Sequence, residues 1–294
     1  MKQKRKVYWG REITYVLFII PAFVLYVLFF IWPVGMGVGY SLTNWSGLRQ
    51  QADFVGLANY ARLFSDRSFH QSLRFNAVYT VQLVVITMVV AMVLAICLNQ
   101  RIKFRTFFRG ALFYPAVLSM LTIGMVFSEI LARVIPSLGD TLDIGFMQFN
   151  VLSRPTTAPL GILFVHLWQG LAIPTILLLA GLQSIPSEMY EAAEIDGAGN
   201  WAKFRKITFP FLLPVLSVVL ILTLKSGLMV FDYIMVMTEG GPAGSTRSLT
   251  FNIYNVGFMQ LQFGYAIAQA MVITAIVVVI SYVQIRITSK KRVY

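Results

Sequence analysis

Long apolar stretches separated by shorter polar ones set the pattern of this chain. The first runs from Ile13 to about Tyr40 and is interrupted by Pro21 and Pro33. Five more cover about Phe75 to Leu98, Gly110 to Leu131, Pro159 to Leu182, Pro210 to Phe231 and Ala266 to Thr288. Each approaches or exceeds the roughly 20 residues an apolar helix needs to cross a bilayer. The pattern therefore predicts six transmembrane helices and an all-α polytopic membrane protein. Between Ser41 and Arg74, the residues Leu57, Tyr60, Ala61 and Phe64 recur at helical spacing and predict a short amphipathic helix against the membrane. Ala132 to Ala158 reads as a loop, and Asp232 to Tyr265 carries TEGGPAGST, a glycine-rich turn.

Composition agrees with that reading, and the charge refines it. Of 294 residues, 57% are hydrophobic and 12% charged, which leaves room for membrane spans and little else. A net charge of +12 would suggest a nucleic-acid binder in a soluble chain, so its distribution decides. The head (Lys2, Lys4, Arg5, Lys6, Arg11), the tetrad Arg101, Lys103, Arg105 and Arg109, the trio Lys203, Arg205 and Lys206, and the tail (Arg286, Lys290, Lys291, Arg292) alternate with the spans so as to share one side. Arg49, Arg62, Arg67, Arg74, Arg133, Arg154 and Arg247 fall on the other, sixteen against seven. The excess marks the cytoplasmic side, with both termini there. Topology explains the charge, and nucleic acid has no part in it. The first run is too long for a signal peptide and no small-x-small cleavage site closes it, so it reads as a retained helix.

Catalytic signals are missing. There is no G-x-x-x-x-G-K-[ST] phosphate loop, so this chain is not an ATPase. His70 and His166 have no metal-ligand partner at ligand spacing, and His166 reads as a hydrogen-bonded core residue. The lone Cys97 lies in an apolar run and reads as a packing residue without a disulfide.

One polar stretch is too long and too well punctuated to be a connector: IPSEMYEAAEIDGAGNWAKFRKITFPFLLP, Ile185 to Pro214. Pro186 suits the first turn of a helix, and Ser184 or Ser187 can cap it. Glu188 and Glu191 then fall where the helix dipole favours negative charge. Ala192 and Ala193 leave a face with almost no side chain, open to close approach by another protein. Gly197 and Gly199 end the helix, Asn200 can cap a second one, and Pro210 and Pro214 mark re-entry into the membrane. The stretch predicts helix, turn, helix at the membrane surface.

That stretch resembles the EAA loop of ABC-importer permeases, E-A-A-x3-G-x9-I-x-L-P. The pattern is met at Glu191, Ala192, Ala193, Gly197, Ile207 and Pro210, with Phe209 in place of leucine. FVGLANYARLFSDRSF, LWQGLAIPTILLLAGLQSIPSEMYEAA and VFDYIMVMTEGGPAGSTRSL are similar to carbohydrate-importer permeases, in the branch of the first permease subunit of the maltose and glycerol-3-phosphate systems. The similarity runs from about Tyr15 to Arg286.

The resemblance implies a type I ABC-importer permease fold in three parts. Residues 1–72 form the N-terminus, first helix and external segment, 73–288 the five-helix core with its coupling loop at 185–210, and 289–294 a tail. It implies a bacterial or archaeal cell membrane, in contact with lipid. It also implies a sugar, an oligosaccharide or related carbohydrate, as cargo, with glycerol-3-phosphate or another polar sugar-like solute as the alternative. The partners implied are a second permease, two ATP-binding-cassette domains and an extracytoplasmic solute-binding protein. ATP and Mg would sit on the ATPase, and this chain would bind no cofactor. Glu188, Glu191, Ala192, Ala193, Asp196 and Gly197 would then couple the chain to the ATPase.

The competing class is a polytopic protein working alone, as a secondary transporter, channel or membrane enzyme. Such a protein has no need of an EAA-like loop, and a membrane enzyme would need a His or carboxylate cluster that this sequence lacks.

Candidate substrate-path residues are the polar ones within apolar runs. A central lysine such as Lys225 costs about 2.5–3.5 kcal/mol on insertion scales. Either it faces a water-filled path or pairs with Glu129, or it lies near enough to an end to snorkel. Trp168 and Gln169 offer a sugar a stacking face and an amide, against a packing role for the tryptophan. Glu129 lines the path or is simply solvated.

Overall fold

The structure is a computed structural model and describes residues 9–48, 52–100 and 102–289. The basic residues expected at 1–8, 49, 101 and 290–292 lie outside that set. In chain order the α-helices are α1 (Trp9–Tyr26), α2 (Trp32–Ser41), α3 (Ala58–Leu63), α4 (Arg67–Asn99), α5 (Arg105–Val117), α6 (Met120–Glu129), α7 (Ile135–Thr141), α8 (Ala158–Gly170) and α9 (Ala172–Gln183). They continue with α10 (Ser187–Ile195), α11 (Asn200–Lys203), α12 (Phe209–Leu228), α13 (Asp232–Met237), α14 (Leu249–Tyr254) and α15 (Phe263–Ser289). No strand occurs among the described residues, only an isolated bridge between Thr43 and Phe54.

Five helical stretches are long and apolar enough to cross a membrane: Leu17–Ser41, Arg67–Asn99, Met120–Thr141, Asn200–Met237 and Phe263–Arg286. The pair α8–α9, bent by 43°, supplies a sixth. The expected number of spans is met, but three boundaries move. The third run breaks at Leu118–Ser119, where both residues are extended, and the span proper is Met120–Thr141. The loop expected from Ala132 therefore begins only at Leu142. The second helix starts at Arg67, two turns before its apolar run, because Asp66 caps it by accepting from the N–H groups of Ser68 and Phe69. The fifth begins at Asn200, well ahead of Pro210.

Proline explains why helices run on where interruptions were expected. Short π-helical turns at Val27–Ile31, Ile130–Val134 and Phe204–Thr208 each end just before a proline-bearing turn, at Pro33, Pro136 and Pro210. The N–H of Trp32, Ile135 and Phe209 reaches back five residues, to Val27, Ile130 and Phe204. A proline ring clashes with the carbonyl four residues earlier and offers no N–H to it. Widening the preceding turn absorbs that conflict without ending the helix.

The chain divides into two compact units, Met1–Leu63 with Asn255–Val272, and Phe64–Tyr254 with Ile273–Tyr294. In the first, Asn59 Nδ2 donates to the carbonyls of Ser41 and Thr43, both at 2.8 Å, closing the C-terminal end of α2. Tyr60 and Ser41 share a hydroxyl bond of 2.8 Å, while Leu57 stays exposed. The amphipathic helix is thus real but only six residues long, and its tyrosine turns inward. Arg62 stacks on the Tyr265 ring and donates to Gln262.

In the second unit α4 is the central member, packed against α9 and α12. Ala91 and Ala95, one turn apart on α4, are fully buried with Leu178, Leu182, Leu212 and Val219. A second cluster joins Tyr79 and Leu83 of α4 to Ile123, Ile162, Val165, Tyr233 and Ile234. Small residues let these helices close up, as helix packing in membranes requires. At Gly227 a Cβ would lie 3.0 Å from the Thr80 backbone. Asn76 secures that crossing. Its Nδ2 donates to the carbonyls of Gly227 (3.3 Å) and Leu228 (2.8 Å), and its Oδ1 accepts from the Leu249 N–H at 2.7 Å.

Candidate functional site

The helix α10 and the turn after it form a rigid, solvent-facing element. Pro186 occupies the N-cap position, and no side chain caps the helix. The expected serine cap is not made: Ser187 is the first helical residue, and Ser184 instead donates to the Gly181 carbonyl. The C-terminus is better secured. The Gly197 N–H bonds the Glu194 carbonyl at 3.0 Å and the Ala198 N–H bonds the Ala193 carbonyl at 2.8 Å, the paired bonds of a left-handed helix end. Gly197 has φ +75°, and nothing lies within 4 Å of where its Cβ would be. Its requirement for glycine is conformational, not a matter of space.

Two ties hold α10 against the helix that follows. Tyr190 Oη and Thr208 Oγ1 are 2.9 Å apart, and Lys203 Nζ donates to Glu194 Oε1 at 2.7 Å. The hydrogen bond and then the charge of Lys203 hold the Glu194 carboxyl below its ordinary range. A cavity of about 280 Å³ lies between the end of α4, Tyr190 of α10 and the segment from Asn200 to Thr208.

These ties decide which face of α10 looks outward. Tyr190 and Ala193, three residues apart, pack on the chain's own cluster with Ile185 and Ile207. The expectation that Ala192 and Ala193 together present a bare face is therefore corrected, because Ala193 points inward. The outward face is Glu188, Glu191, Ala192 and Ile195, at positions i, i+3, i+4 and i+7. Asp196 and Gly197 follow at its rim, both exposed. Ile195 is 88% exposed and Trp201 71% exposed. Sequence reasoning passed over both, although the helical spacing from Glu188 leads directly to Ile195.

The residues expected along a substrate path do not come together. Glu129 pairs with Arg133 of its own helix at 3.2 Å, not with Lys225, since i,i+4 neighbours meet without any tertiary constraint. Lys225 lies in the last turn of α12 and is exposed. Trp168 packs against Phe127, ring centroids 5.1 Å apart, and keeps one side open. Gln169 is buried; its Nε2 donates to the Leu118 carbonyl at 2.8 Å, and Tyr233 Oη donates to its Oε1. Its amide is thus committed to the break between α5 and α6 and offers a sugar nothing in this arrangement. His166 is a core residue, as expected, held between Tyr79 Oη (3.0 Å) and Ser226 Oγ (2.8 Å). The relay Tyr79–His166–Ser226 and the Gln169–Tyr233 pair were mostly invisible in sequence, because their members come from four different helices.

The fold is polytopic and helical, with a glycine-terminated, tied-down helix at one surface. The family described as "Binding-protein-dependent transport system inner membrane component" matches residues 87–293, and the chain belongs to that family. It is 43% identical over 283 residues to the multiple sugar-binding transport system permease protein MsmF of Streptococcus mutans, covering 96% of each chain. It is 32% identical over 290 residues to the probable starch degradation products transport system permease protein AmyD of Thermoanaerobacterium thermosulfurigenes, covering 99% of each. The fold matches a bacterial ABC transporter involved in importing the acidic polysaccharide alginate, with TM-score 0.82 at 19% identity over 96% of both chains.

Proposed function

We propose that this chain is a permease subunit of an ATP-driven importer that carries a carbohydrate, of oligosaccharide class, into the cell. It is coupled through the outward face of α10 to a separate ATPase. The observation that carries the coupling is Ile195, an almost fully exposed isoleucine in line with Glu188, Glu191 and Ala192 on a helix whose C-terminus is locked. A large apolar side chain at the exposed end of a carboxylate-bearing face suits a partner's groove, where buried apolar anchors contribute most. The names of MsmF and AmyD support the carbohydrate class.

In this reading both termini and α10 lie in the cytoplasm. The chain works with a second permease subunit, two ATPase domains that bind ATP and Mg, and an extracytoplasmic solute-binding protein. When the ATPase domains close, they displace α10. The Tyr190–Thr208 bond and the Glu194–Lys203 pair pass that displacement to α11, the widened turn and α12, and thus into the membrane. Such transfer requires a rigid element, which the locked end of α10 provides.

The test is co-purification of the ATPase subunit with wild-type and Ile195→Glu permease, alongside sugar-stimulated ATP hydrolysis. Loss of both, with the permease still folded, is the expected result. Retention of the ATPase and of full stimulated turnover would refute this coupling face.

A further inference from the structure

Arg105 and Arg109, one turn apart at the start of α5, converge on a single neutral amide. With its oxygen turned toward them, as the hydrogen-bonding pattern requires, Gln183 accepts from Arg105 Nη2 at 2.8 Å and from Arg109 Nη2 at 2.9 Å. Arg105 has a structural task besides, since its Nε donates to the Leu98 carbonyl at 2.6 Å and closes the end of α4. Arg109 has none. Its Nε–H is sealed from solvent and meets no acceptor among the described residues. Among the described residues no carboxylate pairs with Arg105 or Arg109, so neither guanidinium has an ionic partner. Two partly buried like charges held together by an uncharged group call for an anion.

The position of the pair indicates which anion. Leu98 lies in the last turn of α4 and Gln183 is the last residue of α9, so both mark ends of membrane-crossing helices. The cluster therefore sits at headgroup depth. Phe104, Phe107 and Phe108 beside it are exposed aromatic side chains, which suit the acyl boundary at that depth. Paired guanidiniums match the oxygens of a phosphate, and basic pockets between helix ends take anionic headgroups.

We propose that Arg105, Arg109 and Gln183 form a binding site for the phosphate of an anionic phospholipid, with Phe104, Phe107 and Phe108 against its acyl chains. The site shares no residue with α10 and does not depend on the transported solute.

The test uses the full-length permease, stripped of lipid and offered phosphatidylglycerol, phosphatidylcholine or inorganic phosphate. Bound lipid is counted by native mass spectrometry and Tm is followed in parallel. Wild type should retain phosphatidylglycerol over phosphatidylcholine, and Arg109→Gln should reduce that preference about fivefold, the worth of one basic contact to a headgroup. Gln183→Glu supplies an internal carboxylate, so it should abolish the preference while raising Tm, which keeps the test independent of any folding defect in the arginine variant. An unchanged preference in both variants would overturn the site. Equal Tm gain from inorganic phosphate alone would overturn the lipid as occupant. Loss of the ATPase subunit from Arg109→Gln with the lipid preference intact would overturn it in favour of a protein contact.

Discussion

Tyr190 of α10 and Thr208, the residue immediately before α12, share a hydroxyl–hydroxyl bond of 2.9 Å. With the Glu194–Lys203 pair it ties the inner face of a surface helix to a helix that continues into the membrane. Removing it separates two roles that a bulky substitution would confound. Tyr190→Phe keeps the packing and loses about 1 kcal/mol of hydrogen bonding. The ATPase should stay bound while transported sugar per ATP falls. An unchanged ratio in proteoliposomes would show that this bond transmits nothing.

Ile195→Ala should weaken ATPase binding by roughly 1.5–3 kcal/mol if the side chain is fully buried on docking, some ten- to hundredfold in affinity. The permease alone should keep its Tm, because Ile195 has no packing role within the chain. Titration of the ATPase against wild-type and variant permease in nanodiscs reads this directly.

Gly197 distinguishes conformational strain from crowding. At φ +75° with open space around it, Ala should cost about 1 kcal/mol, Asn less, and a β-branched residue most. Hydrogen exchange at the Gly197 and Ala198 amides should rise in that order. Equal effects from Asn and Val would exclude a left-handed requirement.

The Glu194–Lys203 pair sets an acid limit. Because the folded carboxyl lies below its ordinary value, the stabilisation is complete above the unfolded pKa. It is lost as pH falls through the lowered folded one. Order in the turn from Asp196 to Gly199 should therefore be flat around neutrality and decline only in strongly acidic solution. Glu194→Gln should remove the dependence, as NMR of the turn amides would reveal.

Asn76→Ala should be far more damaging than Lys225→Met. The first leaves two carbonyls and one N–H without their partner in a buried place, at about 1–3 kcal/mol for each group left unsatisfied. The second removes an exposed charge from a helix end and should leave Tm unchanged or higher. Thermal melts in one detergent rank them.

Much of this arrangement was legible in local sequence because it depends on local physics. Six apolar runs give six spans through the length a bilayer demands, and Gly197 ends α10 through its own backbone freedom. The acidic start of α10 likewise needs no distant partner. The start placed at Pro210 was misjudged, since a widened turn lets the helix continue through it, as it does through Pro33 and Pro136. The face of α10 could not be read in the same way. Ala192 and Ala193 differ by 100° around the helix axis, and only the bond of Tyr190 to Thr208 and the packing of Ala193 on the buried cluster select which one turns outward. The fate of Gln169 was equally hidden, because its partners Leu118 and Tyr233 are 51 and 64 residues away. Helix and turn follow from short-range sterics and hydrogen bonding, whereas the facing of each side chain follows from which helices meet.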